Sequence, residues 1–218
     1  MQKSELLFSL KKKGFSKKIL NAFEKVSREK FVPEKLKPRA YEDTALPIGE
    51  GQTISQPYTI ATMFSLLDVR KNQKVLEIGS GCGYVLALLS ELVGEKSKSE
   101  IYTHSSSKPN DGKVFGVEII KELAERSRNN LRSYKNIKVY NKNGADGLDE
   151  EKPLDRILIS AALEKIPDKL VEQLKEKGIL VAPVGKFEVG QSLTKFQKSD
   201  GKLIKKKEIE GFVFVRFI

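Results

Sequence analysis

The chain has one cysteine, one histidine and no tryptophan in 218 residues. The single thiol, Cys82, excludes an internal disulfide framework and fits a reducing compartment, so a cytoplasmic location is expected. The lone imidazole, His104, sits in a polar stretch without an apolar or carboxylate neighbour. It reads as a solvated loop residue rather than a catalytic base, and no metal site is expected. The apolar run Leu6-Leu7-Phe8 is too short for a signal-peptide core. No stretch approaches the roughly 20 apolar residues of a membrane span. The absence of tryptophan, and of arginines interleaved with aromatics, bears on the net charge of +11. That charge is mostly lysine in short runs, Lys11 to Lys13 and Lys205 to Lys207, which reads as a solvated surface. Specific nucleic-acid recognition leans on arginine and aromatics, so a nucleic-acid partner is not expected.

What the chain does have is one stretch that organises the rest: Val75-Leu76-Glu77-Ile78-Gly79-Ser80-Gly81-Cys82-Gly83-Tyr84. An apolar run ends a buried parallel strand at Ile78, glycines turn the chain, and a helix opens near Tyr84. The glycines let a ligand approach the backbone, and the helix start presents free N–H groups. The G-x-G-x-G spacing is one residue shorter than the dinucleotide fingerprint and carries an acid, Glu77, at the strand end. Both features favour S-adenosylmethionine over NAD, because a sulfonium and an amino-acid tail suit a nearby carboxylate. A glycine-rich turn without a ligand is the plain alternative.

Residues 4–13 predict an amphipathic helix, Gly14 ends it, and Ser16 caps a second helix to about Val26. Residues 34–57 show little periodicity but many prolines and glycines. Such a long irregular stretch with apolar content points to function rather than disorder. Helical spacing returns over 58–67, followed by strands at 74–78, 113–118, 137–141, 155–160 and 178–184, with helices over 84–93 and 121–132 and another from about Pro167. Residues 95–112 read as an exposed polar insert. Two closing strands are expected at 191–197 and 211–218, with a turn at Ser199-Asp200-Gly201. Strands alternating with helices predict an α/β fold: a Rossmann-like, seven-stranded class I methyltransferase sheet, mostly parallel with an antiparallel closing strand. Helices cover both faces, and an N-terminal helical extension precedes the sheet. The expected division is 1–70, extension and substrate segment, and 71–218, cofactor domain, as one structural unit.

The run from Ala40 to Tyr58, with Leu46-Pro47-Ile48-Gly49-Glu50-Gly51-Gln52-Thr53-Ile54-Ser55-Gln56-Pro57 at its centre, resembles the substrate segment of protein-L-isoaspartate O-methyltransferases. Arg28 to Pro33, the glycine loop, Ala161-Ala162 with Ile166-Pro167, Ile179 to Gly185 and the closing residues extend the resemblance to nearly the whole chain outside the insert. It implies methyl transfer from S-adenosylmethionine to the α-carboxylate of isoaspartyl residues in damaged proteins and peptides, followed by succinimide formation and repair. It implies Ser55 as the active-site hydroxyl, where the plain alternative is a turn-forming serine before Gln-Pro. Gln52, Thr53 and Ile54 would shape the substrate pocket. Gly79, Ser80, Gly81 and Gly83 would lie against the methionine part of the cofactor, with Glu77 nearby and Glu118 on the ribose hydroxyls.

Three positions depart from the family pattern. Lys142-Asn143-Gly144 stands where the family has Gly-Asp-Gly. Asn143 keeps an amide oxygen for adenine beside Gly144, and Asp146 takes that place if the register shifts. Leu163 and Arg216 replace prolines. Arg216 could face the substrate carboxylate, but a place on the sheet edge, where charge blocks strand addition, is the expectation. Cys82 reads as a small loop residue. A monomer is expected. Two rival functions stay open: a methyltransferase acting on RNA or another peptide carboxylate, and an inactive cofactor-binding adaptor for damaged proteins.

Overall fold

A computed structural model describes residues 1–94, 112–186 and 190–218. The polar insert and His104 lie almost wholly outside the described residues. The chain begins with two helices, α1 (Lys3–Lys12) and α2 (Lys17–Lys25). The Ser16 hydroxyl accepts a hydrogen bond from the Ile19 amide at 3.4 Å and starts α2, as its place after Gly14 predicts. Short 3₁₀ turns lead to a small antiparallel hairpin, β1 (Leu46–Gly49) and β2 (Gln52–Ile54), inside the stretch that looked irregular in sequence. Then follow α3 (Pro57–Leu67), β3 (Lys74–Ile78), α4 (Tyr84–Val93), β4 (Lys113–Glu118), α5 (Lys121–Asn130) and β5 (Ile137–Asn141). The chain closes with β6 (Leu154–Ile159), α6 (Asp168–Gln173), β7 (Leu174–Val184), β8 (Gln191–Ser199) and β9 (Lys202–Phe212).

The main sheet has seven strands in the order β5-β4-β3-β6-β7-β8-β9. The first five are parallel, and β8 runs antiparallel to both of its neighbours. Side chains alternate between two apolar layers, as the period-two geometry of strands requires. Val75, Val114, Leu158, Ile179 and Val181 join the layer under α1 to α4. Leu76, Ile78, Phe115, Val117, Ile157, Ile159 and Leu180 join the layer under α6. The N-terminal helices share the first layer through Leu6, Leu10, Ile19 and Phe23, so the extension packs on the sheet rather than standing apart.

Two expectations about the closing residues are corrected. The last strand is Lys202–Phe212, not 211–218. The turn at Asp200-Gly201 does join β8 to β9, but the polar, lysine-rich run is the strand that pairs. Of the Phe-Val-Phe-Val run only Phe212 stays in the sheet, opposite Gln191, and Val213 to Val215 leave it. The Phe214 amide donates to Gln191 Oε1 at 2.9 Å, the Ala162 amide to Val215 oxygen at 2.8 Å, and the Phe217 amide to Ala162 oxygen at 2.9 Å. Arg216 therefore sits off the sheet edge, in an isolated bridge to Ala162 just beyond β6. Among the described residues no helix is long and apolar enough to cross a membrane.

Candidate active site

In the sheet, β4 lies on one side of β3 and β6 on the other, so strand order reverses at β3. In open α/β sheets ligands bind outside the carboxyl ends of strands at such a point. A cleft opens there, lined by the glycine loop, Glu77, Glu118, Ser160, Ala161, Gln52 to Ser55 and the closing residues 215–218.

The loop is held from several sides. The Gly79 and Ser80 amides donate to Val117 oxygen at 2.8 and 3.2 Å, and Asn130 Nδ2 donates to Cys82 oxygen at 3.0 Å. Gly83 has φ +89°, and a Cβ there would lie 2.5 Å from Ser127 Oγ and 2.7 Å from Leu131 Cδ1, so only glycine lets α5 approach the start of α4. Gly144 lines the cleft beside Ile78 and leaves no room for a side chain. Cys82 is buried, and burial pushes its thiol up to about 11, so it packs as a neutral thiol.

Two acids face the cleft. Glu118 receives the Gly81 amide at 2.8 Å and the Ile120 amide at 2.9 Å, which ties the loop to the end of β4. Glu77 is 1% exposed. Its Oε1 accepts from Ser160 Oγ at 2.7 Å, while Oε2 has no partner. Burial pushes this carboxyl up to about 8, helped by the Glu118 charge and opposed by the Ser160 bond. A buried carboxyl with an unused oxygen on a cleft wall fits a cationic ligand, which would supply the missing partner and draw off the proton.

The hairpin carries the other wall. Ile48 reaches the loop, its Cδ1 3.2 Å from where a Cβ on Gly81 would be. Arg126 Nη1 donates to Ile48 oxygen. Asp43 accepts from the Tyr58 amide at 2.8 Å, and Gln56 Nε2 donates to Asp43 oxygen at 3.0 Å, which closes the segment on itself. Ser55 follows β2 and is half-buried on the cleft, and among the described residues its hydroxyl makes no hydrogen bond. Beneath the segment lies Arg28, 0% exposed, a residue for which sequence gave no role. Its Nη2 donates to Thr44 oxygen at 3.3 Å and reaches Ile54 oxygen at 3.5 Å, and its guanidinium lies 5.1 Å from the centre of the Tyr84 ring. Nε and Nη1 have no hydrogen-bond partner, and burial lowers the pKa of this group.

The geometry thus brings together Gln52, Thr53, Ile54, Ser55, Glu77, Gly79, Ser80, Gly81, Glu118 and Gly144. Gly83 stands just behind, as the cap of α4. Asn143 is exposed beside the cleft, and its Oδ1 accepts from the Ala145 amide at 2.8 Å, which starts a short turn. Asp146 points away to Lys169 at 2.7 Å. Ser160 and Ile119 complete the walls without having been picked out in sequence. The register of β3 with β6 is what places Ser160 beside Glu77, and no local motif carries that information.

A switch-point cleft with a G-x-G-x-G loop, Glu77 beside the end of β3 and Glu118 at the end of β4 defines a class I methyltransferase, whose cofactor is S-adenosylmethionine. The chain belongs to the family described as Protein-L-isoaspartate(D-aspartate) O-methyltransferase, whose profile matches residues 1–218. It is 41% identical over 220 residues to the Protein-L-isoaspartate O-methyltransferase of Methanothrix thermoacetophila, covering 100% of this chain and 95% of that one. It is 43% identical over 204 residues to Protein-L-isoaspartate O-methyltransferase 2 of Archaeoglobus fulgidus, covering 93% of this chain and 85% of the relative. Among solved structures, one protein-L-isoaspartate O-methyltransferase superposes with a TM-score of 0.86 at 29% identity. That match covers 99% of this chain but 65% of the longer neighbour. A Plasmodium falciparum beta-aspartate methyltransferase in complex with S-adenosyl-L-homocysteine gives a TM-score of 0.80 at 26% identity, covering 98% and 97% of the two chains.

Proposed function

We propose that this chain transfers the methyl group of S-adenosylmethionine to the α-carboxylate of L-isoaspartyl residues in damaged proteins and peptides. The observation that carries the reading is Ser55, a hydroxyl without an internal partner on the wall that faces the glycine loop. When bound, the cofactor supplies an electrophilic methyl group on a sulfonium sulfur. The accepting carboxylate is ionised near pH 7, because such groups titrate at about 3 to 4. No residue has to remove a proton, which agrees with a cleft that holds no histidine among its described lining residues. What the protein must do is position, and holding two reacting atoms in line supplies several kcal/mol.

Ser55 donates to one carboxylate oxygen and leaves the other for attack. Gln52, Thr53 and Ile54 set the width of the peptide side. Glu77 and Glu118 serve the cofactor side, and Gly79 to Gly83 let it lie on the backbone. Asn143 and Gly144 flank the adenine end. In this reading residues 1–70 carry most of the peptide wall and 71–218 the cofactor wall with the closing residues at the open end, and the chain works as a cytoplasmic monomer without nucleic acid. The methyl ester leaves the enzyme. The next backbone amide nitrogen then displaces methanol to give a succinimide, whose hydrolysis returns a share of normal aspartate.

The experiment is transfer of labelled methyl to two short peptides that differ only in Asp or isoaspartate at one position. Base-labile label on the isoaspartyl peptide alone is expected. Label on neither peptide, with the cofactor still bound, would favour an adaptor or another substrate.

A further inference from the structure

Arg216 occupies a position that its place in the sequence does not suggest. The Val215 carbonyl before it accepts from the Ala162 amide and the Phe217 amide after it donates to the Ala162 oxygen, so the backbone is fixed where β6 ends and the cleft wall begins. The residue is exposed and lines the same cleft as Ser55, Glu77 and Glu118. Among the described residues lining that cleft it is the one cation. No acid in the described chain forms a salt bridge with it. The cleft thus carries one exposed guanidinium and two buried acids. The buried acidic end suits a cationic group, and the open end at Arg216 suits an anionic one.

We propose that Arg216 binds the free carboxylate of the isoaspartyl residue as the peptide enters the cleft. The inference rests on the proposed function and adds a charged contact to the one made by Ser55. A guanidinium N–H shares with Ser55 the carboxylate oxygen that does not attack, which attracts the carboxylate and leaves the other oxygen free. The contact is the same before and during transfer, so Arg216 acts mainly on peptide affinity. The carboxylate of the cofactor is the competing anion. Arg216 is exposed, whereas Glu77 is buried and Gly79 and Gly81 are half-buried, and this puts the guanidinium on the side where a polypeptide approaches.

The test uses the full chain with Arg216→Gln and Arg216→Lys. It measures KM and kcat for an isoaspartyl peptide, cofactor Kd by calorimetry, and Tm as a check on folding. Loss of a charge-assisted hydrogen bond predicts a peptide KM about ten to a hundred times higher in R216Q, with kcat and cofactor Kd within about twofold. R216K should recover part of the loss. The wild-type KM should rise with added salt more steeply than that of R216Q. An unchanged peptide KM in a folded R216Q overturns the proposal while the function stands. A weakened cofactor Kd with unchanged peptide KM overturns it in favour of the cofactor carboxylate. A wild type that methylates no isoaspartyl peptide removes the functional reading itself, and this proposal with it.

Discussion

Replacing Glu77 by Gln should change how stability depends on pH, and in a known direction. Burial raises the Glu77 carboxyl from its ordinary 4.5 to about 8 in the folded chain. Below pH 4.5 both folded and unfolded states hold the proton, and the stability that it contributes is fully present. Between 4.5 and 8 the unfolded chain releases the proton and the folded chain keeps it, so stability falls as pH rises. Over those units, at 1.36 kcal/mol each, the loss approaches about 5 kcal/mol and is complete above pH 8. Glutamine has the shape of the protonated acid, keeps an acceptor for Ser160 and does not titrate. The free energies of the two proteins should nearly agree at pH 5 and diverge by several kcal/mol at pH 8, with Glu77→Gln the more stable. Urea unfolding at 25 °C, repeated from pH 5 to 9, reads this directly. Parallel curves would refute the reasoning. The same proton couples to the cofactor. A cationic ligand favours the ionised carboxyl, so binding should release a proton and tighten as pH rises toward 8. Calorimetry in buffers of different ionisation heat would detect the release, and its absence would separate Glu77 from the cofactor.

Three substitutions extend the test. Arg28→Met removes the guanidinium that reaches Thr44 and Ile54 oxygens but keeps an apolar stem. Burying hydrocarbon in place of an unpaired charge is often neutral for stability, so Tm should hold within a few degrees while kcat/KM falls about tenfold or more. A normal kcat/KM would reduce Arg28 to packing. Glu118→Ala should weaken the cofactor by roughly 1.5–3 kcal/mol, read by calorimetry, and an unchanged Kd would refute the assignment. Ser55→Ala should lower turnover on a short isoaspartyl peptide by about tenfold or more with little change in cofactor Kd. Undiminished turnover would take Ser55 out of the mechanism.

The central parallel strands could be read from sequence because they are apolar runs bounded by turn residues and buried on both faces, and the edge strand β5 because its apolar residues alternate with polar ones. The ends of β3, β4 and β5 agree with that reading residue for residue. The closing residues misled for a physical reason. Alternation in Phe-Val-Phe-Val satisfies a strand template, but a strand also needs a partner, and the lysine-rich β9 already occupies that edge. The hairpin at 46–54 escaped notice because each arm is only a few residues long, Gly49 ends the first arm and the turn is Glu50-Gly51. The glycine turn from β3 into α4 was legible because its parts are contiguous. Ser160 and Arg216 were not, since they meet the cleft only through the sheet register and the path of the final residues. Arg28 was hidden by its chemistry, because a charged side chain is expected at the surface and this one is completely enclosed.

The contact between Ile48 and Gly81, together with the stacking of Arg28 on the first residue of α4, means that the two half-sites share a partition. Whatever displaces that partition is felt in both compartments. Thermodynamic linkage then imposes reciprocity. The factor by which the bound cofactor alters peptide affinity must equal the factor by which the peptide alters cofactor affinity. Under the proposed function the hairpin would carry that coupling, and a substitution at Ile48 should register as a change in the cooperativity between two ligands.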